Sequence, residues 1–362
     1  MFRNYSFDPK NPSNSHTFEV HDIDLSIING IRRVILTDIP IVGIIGETVD
    51  SIDPTVNILV NTCPLHNEII THRIGLIPVC LTENEIESYE DGSIILELNV
   101  LNEGNKIEAI TTNNIKGKRN GVDISEKELK EIFPKNPISN DNILITKLRS
   151  GEQLHFTAEL VKKTARFNAS FNPVSLCNFS YIQNPEEADK KEGILDKERA
   201  YYKNKFGDPT AFLMDIEHIN INIAPKYLIN KSIEIIIEKL NNLRSNLIKD
   251  DVIQVKQFQE IENTFEFFID DEDDTLGNII QSVLHSKYIR ENNKFDNTVC
   301  SYIGYICPHP LKSLLVIRIT LEDETRKEKF INFLEMNCKT IIEELSTIKS
   351  NWNKFVLENK VI

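Results

Sequence analysis

The chain contains the same strand–helix pattern twice, once near its beginning and once in its last third. In the first copy, the alternating segment 17–20 is followed by an acidic break and the amphipathic segment 26–35. In the second copy, the segment 264–267 is followed by a longer acidic break and the segment 275–284. Each copy predicts a strand, a capping hydroxyl or carboxylate, and an amphipathic helix. A repeat at this distance indicates a duplicated unit of domain size.

Composition limits the class of protein. A length of 362 residues exceeds one ordinary hydrophobic core, so we expect more than one domain. A hydrophobic content of 40% with 27% charged residues is typical of soluble globular proteins, and no apolar stretch reaches the length of a membrane span. The net charge of -14 argues against a broad nucleic-acid-binding surface, because its field repels phosphate. Six cysteines without a C-x-x-C pair favour reduced thiols in an intracellular protein.

Further elements are predicted between and after the two copies. Pro40 ends the first helix, and the residues beyond it predict a strand-rich insertion. Within that insertion, the segments 143–148 and 154–161 flank a turn and predict a hairpin. In the second copy, a further hairpin is predicted around residues 307–310, running into the segment 314–320. Pro225 and Lys327 begin two long amphipathic helices, one at the end of each copy. Two such helices can bury their apolar faces on each other, which gives an intramolecular equivalent of a two-fold dimer.

Several short motifs connect this pattern to a known family. The chain resembles the assembly subunits of multisubunit DNA-dependent RNA polymerases. The first copy is similar to the third-largest subunit of the eukaryotic enzyme and to the archaeal D subunit, in the segments 29–34, 39–40, 61–68 and 72–78. The second copy is similar to the eleventh subunit and to archaeal L, in the segments 273–278, 304–305 and 308–311. Both copies resemble the bacterial alpha amino-terminal domain, and one chain with both resembles the fused form of large DNA viruses.

The resemblance implies a fold and a division into domains. We expect an α+β protein in which two alpha-like dimerisation domains, each with a sheet and long helices, pair as an intramolecular pseudo-dimer. Residues 1–44 and 173–250 would form the first dimerisation domain, and residues 251–362 the second. Residues 45–172 would form an inserted strand-rich domain. Because the two halves are covalently fused, we expect their pairing to be permanent.

The resemblance also implies a non-catalytic role. The two paired halves would form a platform that docks the two large catalytic subunits and the small zinc-binding subunits of the polymerase. We expect no catalytic residue, no cofactor, no metal, no specific nucleic-acid contact and no membrane contact. Many relatives carry a cysteine cluster in the insertion, but only Cys63 and Cys80 lie there in this chain, without paired spacing. The expected location is intracellular, in the virion and host cytoplasm for a viral protein and otherwise in the nucleus.

Residues on both helices and in the insertion are predicted to form subunit interfaces. Adjacent Arg32 and Arg33 beside an apolar stripe suit binding to carboxylates of a partner, although two ordinary surface arginines are an alternative. Gly277 costs a helix about 1 kcal/mol relative to alanine, which a close helix approach would offset. Asn29 and Asn278 are expected to bond to nearby backbone. The predicted interface residues are Ile28, Asn29, Ile31, Arg32, Arg33, Ile35, His72, Arg73, Lys147, Arg149, Leu276, Gly277, Asn278, Ile280 and Leu284.

Enzyme interpretations find little support in the sequence. His66 and His72 resemble a zinc-protease pair, but six helical residues at about 100° each place them about 120° apart. Cys300, Cys307 and His309 lack a fourth metal ligand. The acidic run 270–274 lacks calcium-loop spacing and suits the capping of a helix. A metal enzyme or hydrolase within the insertion, and a nucleic-acid-binding module, remain as alternatives to the interaction protein.

Overall fold

The structure is a computed structural model. It describes residues 1–7, 15–136, 139–249, 252–322 and 324–359. The predicted domain boundary between residues 250 and 251 lies outside these ranges.

The described residues form eighteen strands and nine α-helices. The strands are β1 (Phe2–Phe7), β2 (Ser15–His21), β3 (Ile41–Gly43), β4 (Val56–Asn61), β5 (Ile94–Leu101), β6 (Glu108–Thr111), β7 (Lys116–Arg119), β8 (Val122–Asp123), β9 (Leu144–Leu148), β10 (Gln153–Glu159), β11 (Val161–Lys163), β12 (Val174–Tyr181), β13 (Ala211–His218), β14 (Gln254–Gln257), β15 (Thr264–Asp270), β16 (Lys294–Phe295), β17 (Thr298–Ile306) and β18 (Leu314–Leu321). The helices are α1 (Leu25–Thr37), α2 (Asn67–Gly75), α3 (Glu83–Glu87), α4 (Glu126–Ile132), α5 (Pro185–Ala188), α6 (Ile194–Glu198), α7 (Pro225–Ile248), α8 (Asp274–Leu284) and α9 (Lys327–Asn359). A π-helical turn, His285–Arg290, follows α8 directly.

The first sheet has the antiparallel order β1-β2-β13-β12. It brings together segments from both sides of the predicted insertion, with Phe18 of β2 opposite Met214 of β13. Both side chains are fully buried, and α1 packs against β12 and α7. Strand β1 was not predicted, because three of its six residues are polar and its aromatic residues do not follow a strict two-residue alternation.

The middle segment contains a sheet in the order β4-β10-β5-β7-β8 and two smaller two-stranded sheets. The predicted hairpin between 143–148 and 154–161 is wrong. Strand β9 pairs with β6, whereas β10 pairs with β4 and β5. The turn between them follows local rules, since Gly151 has a φ of +77°, but its amide bonds to the carbonyl of Asn102. Turn residues therefore indicate that the chain reverses direction, but they do not determine which strands pair.

Helix α2 ends at Gly75. Gly75 is still helical, and Leu76 is the C-cap residue. A Cβ atom on Gly75 would lie 2.7 Å from the Cα atom of Gly46, so the absence of a side chain allows two backbone segments to touch. The glycine holds α2 against the chain that leaves β3.

The second copy forms a sheet in the order β14-β15-β18-β17-β16, with α8 packed on β17 and β18. The pairing of β17 with β18 confirms the hairpin predicted around residues 307–310.

The two long helices, α7 and α9, pack along each other in antiparallel directions. Asn230 near the start of α7 donates to Asn353 near the end of α9 at 2.9 Å. Arg244 near the end of α7 bonds Glu335 near the start of α9, with Nε 2.9 Å from the carboxylate. Trp352 of α9 is fully buried, and its ring centroid lies 4.9 Å from that of Phe18 in the first sheet. The last helix thus contributes to the core of the first copy.

Candidate interface between the two repeated helices

Helices α1 and α8 begin in the same way. Asp24 caps α1, and its side chain accepts a hydrogen bond from the amide of Ser26 at 2.7 Å. Asp273 caps α8 and accepts from the amide of Thr275 at 2.9 Å. The prediction that the acidic breaks cap the two helices is confirmed. The shared cap also provides a common origin for comparing positions along the two helices.

The two helices contact each other reciprocally, because the same position along each helix contacts the beginning of the other helix. Ser282, the ninth residue after the cap of α8, donates its hydroxyl to the cap carboxylate of Asp24 at 3.0 Å. Arg33, the ninth residue after the cap of α1, donates from Nε to the hydroxyl of Thr275 at 2.8 Å, and its Nη2 lies 3.7 Å from the cap carboxylate of Asp273. Each helix therefore uses its ninth position to reach the first turn of the other.

The centre of this contact is occupied by Gly30 and Ile279, each the sixth residue after its cap. A Cβ atom on Gly30 would lie 2.6 Å from Cδ1 and 3.3 Å from Cγ1 of Ile279. Ile279 is fully buried. Gly30 was not among the predicted interface residues, although a glycine inside an amphipathic helix is a usable signal of close packing. We call the contact between α1 and α8 the helix seam.

The structure divides the predicted interface residues by exposure. His72, Arg73, Lys147 and Arg149 are exposed, and Asn29, Arg32, Arg33 and Asn278 are partly exposed. The buried members are Ile28, Ile31, Ile35, Leu276, Gly277, Ile280 and Leu284. The helical apolar positions are thus buried within this chain.

Three of the detailed expectations require correction. Asn29 does not bond to backbone: its Oδ1 accepts from Nε and Nη2 of Arg32 at 3.1 and 3.0 Å. Arg33 was expected to be available to a partner, but its guanidinium bonds Thr275 of this chain. A Cβ atom on Gly277 would lie 2.6 Å from side-chain atoms of Tyr305 and Leu315, so that close approach is to the sheet of its own copy and not to another helix.

A group of charged side chains joins the predicted insertion to both copies. Arg166, from the insertion, bonds Asp38 at the end of α1 and lies 2.8 Å from Asp273 at the cap of α8. Lys239 of α7 lies 3.6 Å from Asp38 and 3.0 Å from Glu272. We call Asp38, Arg166, Lys239, Glu272 and Asp273 the charged junction.

The pKa values of two carboxyl groups in the charged junction are shifted in opposite directions. Burial alone would raise the pKa of Asp273, but hydrogen bonds from Arg166 and Thr275 outweigh burial and lower this pKa to about 2. Burial raises the pKa of Glu272, and Lys239 only partly opposes that rise. The charged junction thus keeps Asp273 ionised at neutral pH and in mild acid, until the pH approaches about 2.

The exposed basic residues lie on adjoining elements of the insertion. Helix α2, which carries His72 and Arg73, packs on β9, which carries Lys147 and leads directly to Arg149. Arg73 is anchored, because its Nη2 donates to the carbonyl of Leu144 at 2.9 Å. We call His72, Arg73, Lys147 and Arg149 the basic group.

The described ranges contain no cluster of three or more His, Cys, Asp or Glu residues arranged to hold a metal ion. Nor does any helix in those ranges have the length and apolar character of a membrane span. All six cysteines are free thiols. Burial raises the pKa of the Cys177, Cys300 and Cys338 thiols to about 12, so these groups are neutral at physiological pH.

Family models decide the relationship of this chain to known proteins. The RNA polymerase Rpb3/Rpb11 dimerisation domain matches residues 17–240, which is more than half of the chain. The chain belongs to this family. A second model with the same description matches residues 264–351. The predicted resemblance to alpha-like RNA polymerase subunits is therefore confirmed, and each copy of the repeat falls within a separate match.

Individual relatives are distant and match part of their length. The chain is 26% identical over 180 residues to the conjugation stage-specific protein of Tetrahymena thermophila, covering 45% of this chain and 54% of that protein. It is 26% identical over 204 residues to the DNA-directed RNA polymerases I and III subunit rpac1 of Dictyostelium discoideum, covering 51% and 56%. It is 25% identical over 191 residues to the DNA-directed RNA polymerase subunit Rpo3 of Methanobrevibacter smithii, covering 51% and 60%. The chain thus spans little more than half of each relative.

Proposed function

We propose that this chain is a non-catalytic assembly platform of a DNA-dependent RNA polymerase, in which two alpha-like halves of one polypeptide pair and dock the two large catalytic subunits. The observation that carries the proposal is the reciprocal contact at the helix seam, within a chain that matches the dimerisation family twice. In this arrangement residues 1–44 and 173–250 form the first dimerisation domain, residues 251–362 the second, and residues 45–172 the insertion.

The exchange of positions at the helix seam supports pairing of two related units. In a two-fold interface, residue i of one unit contacts residue j of the other, and j contacts i in return. The helix seam follows that rule, because Arg33 lies near Asp273 and Ser282 bonds Asp24. The ninth residue after the cap is an arginine in one helix and a serine in the other. Contacts between unrelated domains have no reason to exchange matched positions in this way.

The long helices supply a second layer to the same pairing. Buried positions of α7 and α9 face each other along most of α7. Polar bonds at both ends, between Asn230 and Asn353 and between Arg244 and Glu335, fix their antiparallel register. Burial of apolar side chains at about 25 cal/mol per Å² supplies most of the free energy of such an interface, which makes separation of the halves in solution unfavourable.

The basic group is the surface we propose for a large subunit. Its side chains are exposed, and Arg73 is held in place by the Leu144 carbonyl, which lowers the conformational entropy lost on binding. Guanidinium and ammonium groups would bind carboxylates or backbone carbonyls of the partner. Small zinc-binding subunits are further proposed partners. We propose no catalytic, metal-binding or cofactor-binding residue in this chain.

The presence of both dimerisation domains in one chain favours a fused subunit, as in large DNA viruses. The proposed location is therefore the virion and host cytoplasm for a viral protein, and the nucleus otherwise.

Affinity purification of the full chain from its native source tests the proposal. We expect two large polymerase subunits to be recovered with it in near-equal amounts. Recovery of the chain as an isolated monomer in mild salt would contradict the proposed function.

A triple substitution, Arg73→Ala with Lys147→Ala and Arg149→Ala, tests the docking surface. We expect a reduced yield of one large subunit, because three charges that face the partner are lost, while the free energy of unfolding changes by no more than about 0.5 kcal/mol for each substitution. The yield is measured by quantitative mass spectrometry of the purified complex. The matched control removes three exposed lysines of the same insertion, Lys127, Lys130 and Lys135, and should leave the yield unchanged. Equal losses in both variants would show that only net charge matters.

A further inference from the structure

Gly30 and Ile279 occupy a special place in the helix seam. Both are the sixth residue after a cap, and they face each other across the two helices. In a two-fold interface, the only residue that meets its own equivalent is the one on the axis. Gly30 and Ile279 therefore mark the pseudo-two-fold axis, where a glycine of one half meets an isoleucine of the other.

The pair leaves no spare volume. Ile279 is fully buried, and its Cδ1 atom would lie 2.6 Å from a Cβ atom at position 30. The next nearest atoms are Cγ1 of Ile279 at 3.3 Å and Cγ2 of Thr275 at 3.8 Å. The isoleucine thus fills the space that any side chain at position 30 would need.

Pairing of like halves would lose this match. Two first halves would place glycine opposite glycine and leave a void where Ile279 now lies. Two second halves would place isoleucine opposite isoleucine in a space that holds one, which forces the helices apart. The polar contacts do not discriminate in this way, because Arg33 could meet the Asp24 cap of another first half as readily as Asp273.

We propose that Gly30 and Ile279 form a size-matched pair that directs each half to pair with its unlike half and rejects pairing between like halves of two chains. This inference rests on the proposed function, since it specifies how the platform avoids incorrect association. The residues act through packing, and their role is to determine specificity.

A double-mutant cycle in the full chain tests the match. Gly30→Ala should lower the midpoint of thermal unfolding by several degrees in the wild type. Ile279→Val removes the Cδ1 atom, which would lie 2.6 Å from the Cβ atom of an alanine at position 30. In that background, Gly30→Ala should therefore lower the unfolding midpoint by less than half as much. Ile280→Val is the matched control, because Ile280 is equally buried in the same helix; in its background the cost of Gly30→Ala should be unchanged. Equal costs in all three backgrounds would overturn the inference.

A mixing experiment separates selectivity from simple packing. A Gly30→Ile chain carries isoleucine at both positions, and an Ile279→Gly chain carries glycine at both. When the two are refolded together at high concentration, the unlike pair forms only between chains, so light scattering should detect a two-chain species. Each variant alone, and a chain with both substitutions, should remain at the mass of one chain.

A mixture that stays at the mass of one chain, despite coupling in the cycle, would reduce the pair to packing and overturn the selectivity. Should the larger substitutions prevent folding, Gly30→Ala mixed with Ile279→Val provides the same comparison by a smaller shift in mass. If the mixture forms no two-chain species while large subunits are still recovered in the affinity purification, the size-matched pair is rejected and the proposed function is retained.

Discussion

The helix seam and the charged junction meet at the cap of α8 but hold the chain together by different forces. At the seam, Gly30 and Ile279 are buried and match in shape. At the junction, Arg166 is about half exposed, with 45% of its side chain accessible, and lies between the carboxylates of Asp38 and Asp273. Packing energy is insensitive to salt, whereas ion pairs near the surface weaken as salt rises.

The difference suggests separate roles for the two regions. A shape-matched apolar contact favours one partner and one register, and its free energy is large. A partly exposed ion network contributes less free energy but depends on direction, so it can orient the insertion against both copies. We therefore expect the seam to determine whether the halves pair and the junction to determine how the insertion sits on them.

The largest effect is expected from Ile279→Ala. Removing this fully buried side chain should lower the free energy of unfolding by about 3 kcal/mol, through lost burial and a cavity at the seam. Urea unfolding at low and high salt should give the same loss. Ile69→Ala is the control, because Ile69 is 46% exposed and its truncation should cost less than about 0.5 kcal/mol. A loss that fades with salt would place the seam among the electrostatic contacts.

A smaller effect is expected from Arg166→Gln in the charged junction. The change removes the bonds to Asp38 and Asp273. Asp38, with only 7% of its side chain exposed, then keeps the hydrogen bond from the Thr37 hydroxyl and the more distant charge of Lys239. We expect a loss of about 1–2 kcal/mol at low salt, allowing for the exposure of Arg166. High salt should reduce that loss, in contrast to Ile279→Ala. Lys127→Gln, on an exposed part of the insertion, serves as the control and should change little at either salt concentration.

The smallest effect is expected from Asp273→Asn, compared with Asp24→Asn. Asparagine caps a helix as well as aspartate does, so both variants retain their caps. Only Asp273→Asn loses ion pairs, with Arg166 and Arg33, and should cost about 1 kcal/mol more at neutral pH.

Acid should remove that difference. The pKa of Asp273 is about 2 in the folded chain, below its ordinary value of 3.8. Its contribution is therefore fully present above about pH 4 and is lost as the pH falls toward 2. Chemical unfolding between pH 7 and pH 2 measures the two variants in parallel. A difference that persists at pH 2 would mean that the ion pairs are not its source.

Local pattern was sufficient to predict the parts of the fold that repeat. The capped helices α1 and α8, the long helices α7 and α9, and the pairing of β17 with β18 follow from periodicity, caps and turn residues within each segment. The burial of the predicted apolar stripes also followed, because a wide apolar face cannot remain in water.

Contacts between distant segments could not be predicted in the same way. Arg166 meets Asp38 and Asp273 across more than a hundred residues each, and no local spacing encodes such a pair. The pairing of β9 with β6 was missed for the same reason. Gly30 could have been found, since a glycine in an apolar helix face suggests a close neighbour, but its partner Ile279 required the structure.

Crosslinking of Asp24→Cys to Ser282→Cys in the full chain tests whether the two halves pair within one chain. The wild-type side chains are 3.0 Å apart, so a short thiol-to-thiol reagent should join them within one chain. Mass spectrometry should then identify the 24–282 peptide pair in a product with the mass of a single chain. A control chain with Asp24→Cys and Lys127→Cys should give no such link. Absence of the 24–282 link, or its formation only between two chains, would contradict intramolecular pairing of the two halves.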